Sequence, residues 1–164
     1  MIVISDTTPI ITLLKINHLE LLQKLFNEVH IPTAVYNELT INSSYAKEAE
    51  IIKNNEFIKC VSVSNLQSVI LLQRATGLDL GESEAIILSD EYKNNLLLID
   101  ESKGRQVAKS MGLSIMGTVG ILILAYRDNL LSKQEILNSI EIMKNKGRHI
   151  SEKLYKQLLM LISK

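Results

Sequence analysis

Residues 2–8 read Ile2-Val3-Ile4-Ser5-Asp6-Thr7-Thr8, and Pro9 follows. A short β-branched apolar run is the pattern of a strand buried on both faces. It turns polar at once, through a carboxylate and two hydroxyls. The pattern after Pro9 is helical, so Thr7 or Thr8 can cap a helix whose first turn holds the proline. An acid at the carboxyl end of a parallel strand lies where open α/β sheets bind ligands. Leu96-Leu97-Leu98-Ile99-Asp100 repeats the arrangement of apolar strand, acid and helix. Two carboxylates placed in this way point to a cation site.

The 164 residues suit one domain, 1–164, with helices from about residue 132 packing on it. Apolar residues make up 46%, which fits a globular core. No apolar run approaches the roughly 20 residues that span a bilayer, so no membrane contact is expected. The first residues lack a basic segment followed by an apolar core, so no signal peptide is expected. Cys60 is alone and forms no intrachain disulfide. These features point to the cytoplasm. Net charge is zero but unevenly spread: residues 1–99 carry 7 Lys/Arg and 12 Asp/Glu, and residues 100–164 carry 11 and 6. An acidic half and a basic half suit a cation site flanked by a surface for a polyanion, or merely solvated basic helices.

Strand and helix patterns alternate along the chain. Residues 9–26 read as one amphipathic helix, with His18 a half-buried packing residue. Residues 28–31 read as a strand, 33–40 as a helix carrying Glu38, and 57–63 as a strand in which Cys60 is a buried structural thiol. Asn42-Ser43-Ser44 is a turn and cap signal leading to a helix that ends near residue 54. Residues 65–75 are helical. Asp79 with Glu82 is a capping box for a helix over 80–92. Glu82 and Glu84 are two apart and project about 200° from each other, so they do not easily serve one site. Glu82 has the capping role open to it, and Glu84 is the freer acid. The fourth strand ends at Asp100, a helix covers 101–111, and 113–116 is a fifth strand. Gly117-Thr118-Val119-Gly120 opens the next helix, with Thr118 read as a cap and the amides there able to hold an anion. Ser132 with Glu135 is a second capping box, and 151–163 is the last helix. The alternation implies an α/β fold of three layers, α/β/α, about a mostly parallel sheet of about five strands.

The acids to weigh are Asp6, Glu38, Glu84 and Asp100. Clustered carboxylates repel, and a divalent ion removes that penalty. Oxygen-only ligands suit Mg²⁺ or Mn²⁺. On these residues the chain resembles the PIN-domain family, metal-dependent nucleases of many prokaryotic toxin–antitoxin systems. Residues 4–9 look like its opening motif, 31–38 like its second acidic motif, 81–88 like its third and 97–100 like its fourth. Residues 103–109 and 117–120 resemble a branch described only as nucleic-acid-binding. The chain departs from the family at the third acid, where most members carry Asp and this chain has Glu84, with Glu82 as a rival. The resemblance implies cleavage of RNA with Mg²⁺ or Mn²⁺. Asp6 and Asp100 would ligate directly, and Glu38 and Glu84 directly or through water. Thr7 would orient a metal-bound water, and Lys103 and Arg105 would contact phosphates. A small antitoxin and a second copy of the chain are the implied partners.

Two other readings compete. A PIN-like nucleic-acid binder without turnover is one. A phosphatase-like domain with Asp6 as nucleophile is the other; it needs an acid two residues on, where Thr8 stands. No glycine-rich nucleotide loop follows a strand, which argues against a kinase or dehydrogenase.

Overall fold

A computed structural model describes residues 1–41, 46–147 and 150–163. The turn expected at Asn42-Ser43-Ser44 lies outside them. Five parallel strands form one sheet: β1 (Ile2–Ser5), β2 (Val29–Pro32), β3 (Ile58–Val61), β4 (Asn95–Leu98) and β5 (Ile115–Met116). Their order is β3-β2-β1-β4-β5. β1 pairs with β4 in the register Ser5↔Leu98, and with β2 through Ile4↔His30.

The short apolar runs are strands because their side chains alternate between two cores. Val3, Leu96 and Leu98 enter one cluster, whereas Ile4, Leu97 and Ile99 enter the other. The first cluster also takes side chains from α1 (Thr7–Lys15), α2 (Glu20–Phe26), α8 (Thr118–Arg127), α9 (Lys133–Asn145) and α10 (Glu152–Ile162). The second lies under α5 (Leu66–Thr76), α6 (Leu80–Glu91) and α7 (Ser102–Ser110). Helices therefore cover both faces, and the fold is a three-layer α/β/α sandwich. α3 (Thr33–Ile41) touches both α1 and α6, and α4 (Ala46–Asn54) packs against α3. α9 packs on α1 and α8, and α10 on α8. Every residue from Gly81 to Ser89 of α6 is buried. No helix of the described residues is long and apolar enough to cross a membrane.

Two local expectations are corrected. The helix over 9–26 is two helices, because Asn17 takes a positive φ of 59° and ends the first one. A short polar side chain tolerates that left-handed state. Cys60 is exposed, not buried. β3 is an edge strand, and Lys59 and Cys60, on its two opposite faces, are both left uncovered.

Leu97→Ala empties a site that both flanking strands and the second core enclose. It should lower unfolding stability in urea by about 2–5 kcal/mol. Ile41→Ala on α3, where the parent side chain is 75% exposed, should stay within about 0.5 kcal/mol.

Candidate active site

β1 and β4 are paired neighbours whose crossovers depart in different directions, so a crevice opens beyond their carboxyl ends. Asp6 follows β1 directly, and its amide donates to Leu98 O at 3.0 Å. Asp100 lies two residues beyond β4. Sheet pairing therefore brings to one edge two acids that are 94 positions apart.

Each acid is held differently. Asp6 is 4% exposed and stands at the N-cap position of α1. Thr7 Oγ1 donates to Glu38 Oε2 at 2.8 Å, which ties α1 to α3. Thr118 donates twice to Asp100, from its amide to Oδ1 and from its hydroxyl to Oδ2, both at 2.7 Å. Thr118 is thus not a helix cap, and Gly117 occupies that position. The anion at this helix start is the protein's own carboxylate. Gly117 is required there, since a Cβ would lie 2.9 Å from Asp100 Oδ1.

Glu82 and Glu84 point apart, as their spacing demands. Glu84 Oε1 accepts the Ala34 amide at 3.2 Å, so its charge sits in the first turn of α3. Glu82 belongs with Asp6. It is 7% exposed, and its Oε2 is buried without a hydrogen-bond partner. A Cβ at Gly104 would meet that oxygen at 3.0 Å and Ile99 Cδ1 at 2.7 Å, so a larger residue on α7 there would make these side chains shift. The freer acid is therefore Glu82, not Glu84. The Glu82 amide, not its side chain, completes the cap by donating to Asp79 Oδ1 at 2.8 Å.

Burial raises Asp6 from its ordinary 3.8 to about 7 against the opposing Thr7 amide, and Asp79, Glu38 and Glu101 push it the same way. Burial also raises Glu82 from 4.5 to about 8, with Asp79 next and then Asp6 and Glu101. Asp79 and Glu101 were not among the acids singled out from the sequence. Their signal was present: Glu101 adjoins Asp100, Asp79 stands three residues before Glu82, and each is at the start of a helix.

Among the described residues no Lys or Arg makes an ion pair with these carboxylates. Arg105 Nη1 donates to Ile99 O at 2.9 Å, leaving its other N–H groups for a ligand. Lys103 is exposed, with Nζ 3.2 Å from where a Cβ of Gly77 would stand.

A family model described as a PIN domain matches residues 2–164. The chain belongs to the PIN-domain family. No match to it was found among curated proteins or among solved structures. PIN domains are generally nucleases that act on nucleic acid, typically with divalent metals. The site of this PIN domain fits such an ion in chemistry and charge. Its donors are all oxygens, two are forced toward the neutral form, and one buried carboxylate oxygen lacks a partner. Among the described residues, however, no three acids close on a common point at ligand distance.

Both raised carboxyls bind protons in the folded state that the unfolded chain has released. In EDTA, the stability that these two groups contribute should therefore be fully present below about pH 4 and be lost as pH rises through about 7 and 8. A thermal-melt series against pH reads this slope. Asp6→Asn and Glu82→Gln should each flatten it and raise the midpoint at pH 8.

Proposed function

We propose that this PIN domain, read as one domain over 1–164, is a metal-dependent endoribonuclease. The observation that carries the reading is the pairing of Asp6 and Glu82. Both are buried at the carboxyl edge of the sheet, and burial first, then the surrounding acids, pushes both toward neutrality with no Lys or Arg ion pair among the described residues. A divalent ion would relieve that repulsion. Asp6, Glu82 and Asp100 would hold Mg²⁺ or Mn²⁺, with Glu38 direct or through water. Bound there, the ion would lower the pKa of a water and steady charge on a phosphodiester.

The chain's own groups supply the rest. Thr7 fixes Glu38, and Thr118 fixes both oxygens of Asp100, so neither carboxylate swings freely. The free N–H groups of Arg105, with Lys103 on the same helix, would take backbone phosphates of RNA. The net positive charge of residues 100–164 supports a polyanionic substrate. Glu84 has a structural part, as the acid at the start of α3.

The same reading makes the protein the cytoplasmic toxin of a toxin–antitoxin pair, restrained by a small antitoxin. It also makes it a homodimer. Leu66, Ile70 and Leu71 are exposed together on α5 and offer the dimer an apolar surface. One observation favours a second reading, a nucleic-acid binder without turnover: among the described residues no three acids stand at ligand distance.

Cleavage of single-stranded RNA in Mn²⁺ separates the two. We expect cleavage that stops in EDTA and drops by about 10²–10³-fold in Asp6→Asn and Glu82→Gln. Glu84→Gln keeps an acceptor for the Ala34 amide and should stay within a few-fold of the parent. Activity that survives EDTA and Asp6→Asn would remove the metal-dependent reading, and RNA binding without cleavage would leave the binder.

A further inference from the structure

Beside the acid cluster lies a cavity of about 560 Å³ between α1, α8 and the last two helices. Asp100 and Arg105 belong to its lining, so it adjoins the site already described. Its other walls are mainly apolar, from Met116, Ile123, Met143 and Leu154. Thr12 also lines it, is 2% exposed, and carries a hydroxyl with no hydrogen-bond partner.

A buried hydroxyl without a partner costs stability, so a structure that keeps one in a cavity wall invites a ligand to satisfy it. The cavity falls within the roughly 300–1,000 Å³ of small-molecule sites. Apolar walls suit the two faces of a flat ring. A hydroxyl, both donor and acceptor, suits the polar edge of that ring. A guanidinium in the same lining suits an attached phosphate. Single-stranded RNA is read in this manner, with an unstacked base splayed into a pocket.

We propose that this cavity seats one nucleobase of the bound strand, next to the phosphate that the acids would act on. Thr12 reads the edge of the base, and Arg105 takes its phosphate. The pocket makes the enzyme selective among bases. This rests on the nuclease reading, and its test is built so that the two fail separately.

The four nucleoside 5′-monophosphates, ribose 5-phosphate and N-acetyl-leucinamide are titrated into the full chain in EDTA, followed by calorimetry. At least one nucleotide should bind about tenfold more tightly than ribose 5-phosphate, a gap of about 1.4 kcal/mol. Thr12→Val should weaken that nucleotide by about three- to tenfold. Ile123→Trp, which fills the cavity, should erase the preference. Both variants should keep the thermal stabilisation by Mn²⁺. If Ile123→Trp does not fold, the Thr12→Val comparison decides. The proposal is overturned if no nucleotide exceeds ribose 5-phosphate, if Thr12→Val binds like the parent, or if N-acetyl-leucinamide binds and no nucleotide does. A base preference in binding without Mn²⁺-dependent cleavage would remove the nuclease reading and leave the pocket. Cleavage without any base preference would do the reverse.

Discussion

Negative charge gathered at one edge of a buried parallel sheet is the constraint on which the rest of this structure depends. Parallel pairing of β1 with β4 puts Asp6 and Asp100 at the same edge, whatever their separation in the chain. Burial then removes the water that would screen Asp6, while Asp100 is half-buried. The local architecture is arranged around that difficulty. Thr118 spends both its donors on Asp100, Thr7 spends its hydroxyl on Glu38, and Gly104 leaves room for Glu82.

Helix starts are the second part of the arrangement. A parallel sheet with crossover helices directs the amino ends of those helices toward its carboxyl edge. Asp6 stands at the start of α1, Asp79 at the start of α6, and Glu101 at the start of α7. Asp100 meets the start of α8, and Glu84 the start of α3. Unsatisfied amides and the helix dipole favour an anion at each place. That partial compensation lets a fold tolerate so many acids together. It does not suffice for Asp6 and Glu82, which remain displaced toward the protonated form.

Much of this is legible in the sequence. Strand followed by acid, at residues 2–6 and 96–100, carries the sheet centre and two candidate site residues. The two N-caps stand as read, with Asp79 and Ser132 accepting from the amides three positions on, but among the described residues neither glutamate side chain bonds back to its cap amide. What escaped depends on contacts between distant segments. The spacing of Glu82 and Glu84 shows that they diverge, but not which one faces the crevice; that is decided by how α6 lies on the sheet and against α3. Thr118 looks like a cap because its neighbourhood in sequence is a helix start. Its real partner, Asp100, comes from another strand. Cys60 sits in an apolar run, yet strand order makes that run an edge. The break at Asn17 is local, and an Asn before a His is too weak a signal to interrupt so regular an apolar stripe.

The enclosure of α6 has a consequence for how this chain can change over evolutionary time. Most surface helices keep a face on which substitutions pass unnoticed. From Gly81 to Ser89 there is none, because sheet, α3, α5 and α7 surround the segment. Nine consecutive positions are thereby denied neutral drift, and a library of random variants should be depleted there more evenly than anywhere else in the protein.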